Sequence, residues 1–259
     1  LRGVAYGGGL WIAVGDSSAK TFLRSTDGIT WVATYQDSSL CQYGAVAYDA
    51  TATTSKWVAV GSSKCLKSNL FAGLVHSLDG VSWTLETNSV FSNKMHGVSY
   101  GGGLWTAVGE SATGPSIYTS NDGVKWAGQT TTAANLNAVG YGGSQWAAPS
   151  ASAPGAGSAV YVSPTGAGWA PRPSGTMTDL SAIAWGNGQW VAVGAAGTVV
   201  TSSDGLSWTV QTSGTASNLA GVAYKANASP TVTGQTLSFP KNINDAITVS
   251  GADTDGDVL

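Results

Sequence analysis

Residues 181–208 read SAIAWGNGQWVAVGAAGTVVTSSDGLSW, and three blocks within this stretch decide the fold. The first is a short apolar run ending on an aromatic residue, AIAW at Trp185. The second follows a glycine-containing turn, WVAVG from Trp190. The third, SSDGLSW, places an aspartate two positions after Ser202, a glycine three after it and Trp208 six after it. All three recur in the same order along the chain. The first returns as GVAY at Tyr6, AVAY at Tyr48, GVSY at Tyr100, AVGY at Tyr141 and GVAY at Tyr224. The second returns as WIAVG from Trp11, WVAVG from Trp57, WTAVG from Trp105 and WAAPS from Trp146. The third returns as STDGITW (Ser25, Asp27, Trp31), SLDGVSW (Ser77, Asp79, Trp83), SNDGVKW (Ser120, Asp122, Trp126) and SPTGAGW (Ser163 to Trp169). In that last copy Thr165 stands in the place of the acid.

The repeat length is about 44 residues, the size of one blade of a β-propeller. Short runs of Val, Ile, Tyr, Trp and Thr between Gly and Asp-Gly turns are strands. Four fit in each repeat: A ends at the aromatic residue, B is the Trp-x-Ala-Val-Gly block, C leads into the serine, and D starts at the closing tryptophan. A sheet of four such strands cannot cover both of its own apolar faces, so neighbouring copies must stack around an axis. Helical solenoids share this period, but no repeat holds ten residues of helical spacing without a turn signal. The sequence therefore predicts an all-β propeller of four-stranded antiparallel blades over residues 1–224. Five blades are complete if the chain closes on itself, with residues 219–224 left as a surplus strand A. A sixth blade forms instead if strands B to D precede Leu1.

Composition sets the outer bounds. Hydrophobic residues make up 42% of the 259, with 36 Gly and 11 Trp, which is incompatible with disorder. Charged residues are 10%, the net charge is −3, and no basic stripe exists to displace counterions from phosphate. Nucleic acid is excluded as a partner on this ground, and no apolar run approaches the ~18 residues of a membrane helix. The chain opens at Leu1 without a targeting signal and reads as a piece of a longer protein. Low charge, abundant Ser, Thr and Gly, and 2 Cys fit an extracellular or cell-surface product of a bacterium or phage.

The third block resembles the Asp-box of BNR, sialidase-type repeats, in a form one residue shorter than the common version. The resemblance spans residues 1–219 with four good copies and one degraded copy, and it implies a hairpin turn between strands C and D on the outer part of each blade. Physically, the aspartate accepts backbone N–H bonds within the turn, glycine tolerates positive φ, and tryptophan anchors the turn on apolar surface. Asp27, Asp79, Asp122 and Asp204 are read as structural, because copies scattered around a ring cannot converge on one site. The resemblance also raises sialidase activity, which in that family needs three arginines, one in Arg-Ile-Pro, and a Tyr/Glu pair. This chain has Arg2, Arg24 and Arg172, none in Arg-Ile-Pro, and its glutamates are Glu86 and Glu110. His76 and His96 lie in different repeats with no acid at metal-ligand spacing, and His76 is read as a strand residue.

In an up-and-down blade the B-to-C loop and the D-to-A linker share one face, while the A-to-B turn and the C-to-D turn share the other. The variable segments all fall on the first face, which is where function sits on a rigid scaffold. The candidate binding residues there are Asp16, Lys20, Lys64, Lys67, His96 and Glu110. Cys41 in a linker and Cys65 in a B-to-C loop fall on that face too, which predicts a disulfide worth roughly 3 kcal/mol in an oxidising compartment. Residues 225–259 break the pattern and resemble the start of tandem Ig-like or cadherin-like surface domains. This second region is expected to be a truncated neighbour, or an arm that packs on the propeller or on another chain. Asp253, Asp255 and Asp257 there form an acidic solvated turn, with Ca²⁺ ligation as the alternative.

The functional expectation is a non-enzymatic recognition or adhesion module of a large extracellular protein, binding carbohydrate or a surface protein through the B-C loop face. No cofactor is required, calcium in the tail apart. The alternatives are a sialidase-like glycoside hydrolase and a structural spacer or subunit of a surface fibre.

Overall fold

The computed structural model describes residues 1–15, 22–35, 42–52, 56–61, 73–86, 90–111, 114–130, 132, 135–151 and 157–224. They form five four-stranded antiparallel sheets, each in simple up-and-down order, as the repeat predicts. Blade 1 comprises β1 (Gly3–Gly7), β2 (Leu10–Val14), β3 (Phe22–Ser25) and β4 (Val32–Tyr35). Blade 2 comprises β5 (Tyr43–Tyr48), β6 (Trp57–Gly61), β7 (Leu74–Ser77) and β8 (Thr84–Leu85). Blade 3 holds β9 (Met95–Gly101), β10 (Leu104–Gly109), β11 (Ile117–Ser120) and β12 (Ala127–Thr130). Blade 4 holds β13 (Gly140–Gly142), β14 (Gln145–Pro149), β15 (Ala159–Ser163) and β16 (Ala170–Pro173). Blade 5 holds β17 (Leu180–Gly186), β18 (Gln189–Gly194), β19 (Val199–Ser202) and β20 (Thr209–Gln211).

The A-to-B hairpins show why the sequence chooses Gly, Asn and Ser there. Gly8 and Gly9, Gly102 and Gly103, Gly143 and Ser144, and Asn187 and Gly188 all have positive φ, the conformation a two-residue hairpin loop needs at both positions. The hairpin then fixes the register, pairing Tyr6 with Trp11, Tyr48 with Trp57, Tyr100 with Trp105, Tyr141 with Trp146, and Trp185 with Trp190. Their ring centroids lie 4.6 to 5.1 Å apart, an aromatic cross-strand pair in every blade.

Strand alternation sends the two sides of each sheet to different neighbours. Ile12, Val14 and Phe22 of blade 1 pack against Tyr43, Val46, Trp57, Ala59 and Trp83 of blade 2. The same arrangement recurs between blades 2 and 3, 3 and 4, and 4 and 5, each core centred on the strand B tryptophan: Trp105, Trp146 and Trp190. Burying a side chain of this size stabilises by a few kcal/mol, so the four cores supply the ring's cohesion. No corresponding core joins blade 5 to blade 1 among the described residues.

Of the expected surplus strand at residues 219–224, Leu219 alone is docked, and the segment is unpaired. The Leu219 N–H donates to the Gly194 carbonyl at 2.9 Å, as Leu136 does to Gly109 (3.0 Å) and Leu180 to Ser150 (3.2 Å) at the starts of blades 4 and 5. It belongs to no ladder, because a strand A needs a strand B beside it. The compact unit ends at Ala223, and of the second unit, Tyr224–Leu259, Tyr224 alone is described. Asp253, Asp255 and Asp257 thus lie outside the described residues. No helix among the described residues is long and apolar enough to cross a membrane.

Candidate functional site

The aspartates of the third block are bound into their turns. In blade 1 the Ser25 hydroxyl donates to Asp27 Oδ1 (2.7 Å), and the Gly28 N–H donates to Ser25 Oγ (2.9 Å). Asp27 Oδ1 also accepts the N–H groups of Ile29 and Thr30 at 2.8 and 2.7 Å, while Trp31 Nε1–H caps the Gly28 carbonyl at 3.1 Å. Gly28 takes φ 73°, which opens the turn without Cβ strain. The same bonds recur around Asp79, Asp122 and Asp204.

Each of these carboxyls is held below its ordinary value. For Asp27 the largest cause is the Thr30 N–H, then the Ser25 hydroxyl and the Ile29 N–H. For Asp79 and Asp204 the backbone N–H groups of Ser82 and Ser207 lead. At Asp122 burial pushes upward, and the N–H groups of Lys125 and Val124 with the Ser120 hydroxyl outweigh it. Every acceptor lone pair engaged in holding a turn is withdrawn from outside chemistry.

The other face is built differently. Where strands A begin around the axis, a cavity of about 430 Å³ is lined by Arg2, Gln42, Lys94, His96, Asn137 and Ala220, together with apolar and backbone surface. Arg2, His96, Asn137 and Ala220 stand at one repeat position, four residues before the strand A aromatic, where blade 2 has Gly44 and blade 5 has Ser181. The topology thus brings this repeat position of blades 1, 3 and 4 to the cavity, with a different side chain in each.

Two of these side chains stitch neighbouring blades together. His96 Nδ1 meets the Leu136 carbonyl at 3.1 Å, which fixes the proton on Nδ1, and Asn137 Nδ2 donates to the Leu180 carbonyl at 2.7 Å. His96 Nε2 then faces Glu110 Oε1 at 3.7 Å, longer than a hydrogen bond. Glu110 is held in place through its backbone N–H, which donates to the Lys94 carbonyl at 3.0 Å. Burial pushes the His96 pKa below its ordinary value. The Leu136 carbonyl and Glu110 oppose this and nearby Lys94 reinforces it. Burial thus favours the neutral imidazole, whose Nε2 faces the Glu110 carboxylate. Arg2, Lys94 and the Asn137 amide give the cavity a donor-rich wall suited to carboxylate or carbonyl oxygens.

Of the sequence-derived binding candidates, His96 lines this cavity and Glu110 stands beside it, 3.7 Å from His96 Nε2. Asp16, Lys20, Lys64 and Lys67 lie outside the described residues, as do Cys41 and Cys65 of the expected disulfide. Sequence reasoning missed Lys94 and Asn137 as site residues and treated Arg2 only as one of three arginines. Counting back four positions from each strand A aromatic would have found Arg2 and Asn137. The other two arginines are elsewhere, Arg24 on β3 and Arg172 on β16 at an outer edge. His76 is a strand residue on β7, its Nε2 2.8 Å from Glu86 Oε1. No group of three or more His, Cys, Asp or Glu suited to a metal ion is found among the described residues.

No protein-family model matches this chain, and no curated protein does. Its backbone is similar to that of solved structures. The computationally designed Ika8 protein superposes with a TM-score of 0.58 at 10% identity, over 87% of this chain and 65% of that one. The nidogen/laminin complex gives 0.59 at 13% identity, over 77% and 74%. YCF48 from Cyanidioschyzon merolae gives 0.53 at 16% identity, over 80% and 70%, and YCF48 bound to D1 peptide gives 0.53 over 81% and 65%. The chain thus spans about two thirds to three quarters of the lengths of these structures. Five up-and-down sheets and these neighbours define the class: a β-propeller with four-stranded blades.

Proposed function

We propose that this chain is a non-enzymatic recognition module that binds a protein partner through the axial cavity and the B-C loops around it. The observation that carries the reading is the contrast between the two faces. The turn face repeats the same residues, whereas the cavity brings together Arg2, Lys94, His96 and Asn137, which do not repeat. A concave site with a few placed donors on a rigid scaffold is the form a binding site takes. Two of the similar structures are of complexes, nidogen with laminin and YCF48 with D1 peptide, which is consistent with protein recognition by this fold. The scattered positions of Arg2, Arg24 and Arg172 weigh against a sialidase-type carboxylate clamp.

The C-to-D turns are read as Asp-boxes of the BNR type, and the parent as a bacterial or phage adhesion protein acting outside the cell, with Cys41 and Cys65 bonded. Free-thiol titration of native and unfolded protein checks the last point: two reactive thiols without reductant refute the bond. The functional test is binding of the 259-residue chain to a displayed peptide library and a glycan array, with a sialoside hydrolysis assay alongside. Peptide capture that falls at least about tenfold in Lys94→Ala, with an unchanged melting temperature, supports the reading. Glycan capture, hydrolysis, or filament formation without any ligand would each replace it with the corresponding alternative.

A further inference from the structure

Each inter-blade core is assembled in one way. The back of one blade, such as Ile12, Val14 and Phe22, meets the front of the next, which presents the strand A valine or isoleucine and aromatic and the strand B and D tryptophans. Blade 1 carries the same front, and no core forms against it among the described residues. Val4 is 58% exposed and Tyr6 57%, whereas Val46 and Val98 are at 7% and Ile183 at 9%. Trp11 is partly exposed, whereas Trp57, Trp105, Trp146 and Trp190 are fully buried. Blade 5 has the complementary defect on its back, where Val191 and Val199 are partly exposed at positions filled in blade 2 by the fully buried Val58 and Leu74.

Between these two faces the first residue of one more strand A is already docked. Leu219 makes the backbone bond by which the first residues of blades 4 and 5 dock on the blade before. Residues 221–224 read GVAY, identical to residues 3–6. In blades 2, 4 and 5 the strand A aromatic lies over the preceding blade's hairpin glycine, Tyr48 over Gly7, Tyr141 over Gly101 and Trp185 over Gly142. Tyr224 is the residue of that rank for Gly186.

We propose that the space between blade 5 and blade 1 seats one further blade. Its innermost strand is residues 219–224, and its three outer strands form a sheet carrying the Trp-x-Ala-Val-Gly and Ser-x-Asp-Gly-x-x-Trp blocks, running on into Leu1. The occupant follows from continuity with the four existing interfaces. An unfilled back wants a strand B tryptophan, an unfilled front wants strand B and C aliphatics, and strand D of each blade leads directly into strand A of the next. Leu1 and Ala220 line the same cavity, so polypeptide arriving at Leu1 from such a strand D has the short connection found between the other blades. The backbone likeness to Ika8, over 87% of this chain and 65% of that one, fits an arc with room for more chain around its axis. Exposed apolar faces of this kind also mark interaction surfaces on general grounds.

The test places a copy of residues 189–218, strands β18 to β20 with their linker, directly before Leu1, because Leu219 and Leu1 hold the same rank in the repeat. Amide hydrogen exchange of the unmodified chain and of the extended chain is then compared. Protection of residues 4–6 and 221–224 is expected to rise by a factor on the order of 10 in the extended monomer, and Tyr6→Asp in that chain to abolish the gain. Unchanged exchange overturns the proposal. Tyr6→Asp in the unmodified chain supplies a check that needs no added strands, since with the face open it forfeits only its cross-strand pair with Trp11 and lowers the melting temperature by no more than about 2–4 °C. A clearly larger drop, with the chain monomeric, shows a ring closed on itself, and concentration-dependent dimers lost in Tyr6→Asp show a second copy as the occupant. Either result overturns it.

Discussion

Blades 3 and 4 pass from strand C to strand D through turns of the same length and by different means. In blade 3 the Gly123 N–H donates to Ser120 Oγ at 2.9 Å, Trp126 Nε1–H caps the Gly123 carbonyl at 3.0 Å, and Asp122 Oδ1 gathers the N–H groups of Val124 and Lys125. Blade 4 keeps the first two bonds, Gly166 to Ser163 at 2.9 Å and Trp169 to Gly166 at 2.8 Å, but has no carboxylate. There the Ser163 hydroxyl turns to the Ala167 carbonyl at 2.5 Å, and Gly168 takes φ 64°. The turn therefore has two separable parts. Serine, glycine and tryptophan anchor it to the blade, and the aspartate clamps its tip.

The largest effect comes from breaking the part the two blades share. Trp126 and Trp169 are both buried, each in an inter-blade core. Trp126→Ala and Trp169→Ala are each expected to cost about 3–5 kcal/mol in denaturant unfolding, with or without a clamp in the turn. A much smaller cost in blade 4 would mean that the anchor depends on the aspartate and that the two parts are not separable.

Removing the clamp comes next. Asp122→Ala deprives two backbone N–H groups and the Ser120 hydroxyl of their acceptor and is expected to cost about 1–2 kcal/mol. Thr165→Ala, which removes a hydroxyl with bonds of 3.4 Å, should fall within about 0.5 kcal/mol of the parent. Equal costs would show that the tip is held by water or backbone rather than by the carboxylate.

Acid probes the same contrast without mutation. The carboxyls of Asp27, Asp79, Asp122 and Asp204 have folded pKa values below their ordinary 3.8, so they stabilise the fold above that value. That contribution is lost as pH falls below it and through the folded values. Amide protection at residues 29 and 30, 81 and 82, 124 and 125, and 206 and 207 should drop in that window, whereas residues 167 and 168 should not respond. A uniform loss across all five turns would assign the acid response to the scaffold as a whole.

How far the sequence foretold this depends on whether a feature is local and repeated. The three blocks recur because every blade solves the same packing problem, so Trp57, Trp105, Trp146 and Trp190 were legible as core residues, and Thr165 as a defect. The axial cavity was half legible. His96 and Glu110 were marked by type and place, and Arg2 and Asn137 share the repeat position of His96, but Lys94 matters because separate blades converge on the axis, and convergence leaves no trace in a linear pattern. Residues 219–224 have every local sign of a strand and remain unpaired, since pairing belongs to the neighbour and not to the segment. The positive φ of Gly168 was hidden for a related reason: glycine in this block is read as the turn residue, and blade 4 uses a second one.

That second glycine makes the smallest effect the sharpest test. Restoring the acid alone, Thr165→Asp, supplies an acceptor to a tip whose backbone is already committed to another conformation, and the gain should stay below about 0.5 kcal/mol. Gly168→Ser alone places a Cβ at φ 64° and is expected to cost about 1 kcal/mol, although no atom lies within 4 Å of that Cβ. Together they recreate the Asp-Gly-x-Ser sequence of Asp79 to Ser82, where the Val81 and Ser82 N–H groups reach the carboxylate at 2.8 Å each. The double variant should thus be more stable than the sum of the singles by about 1–2 kcal/mol in a mutant cycle. A coupling near zero would mean that the fourth turn keeps its shape for reasons in the strands beneath it, and that clamp and tip conformation are not two expressions of one choice.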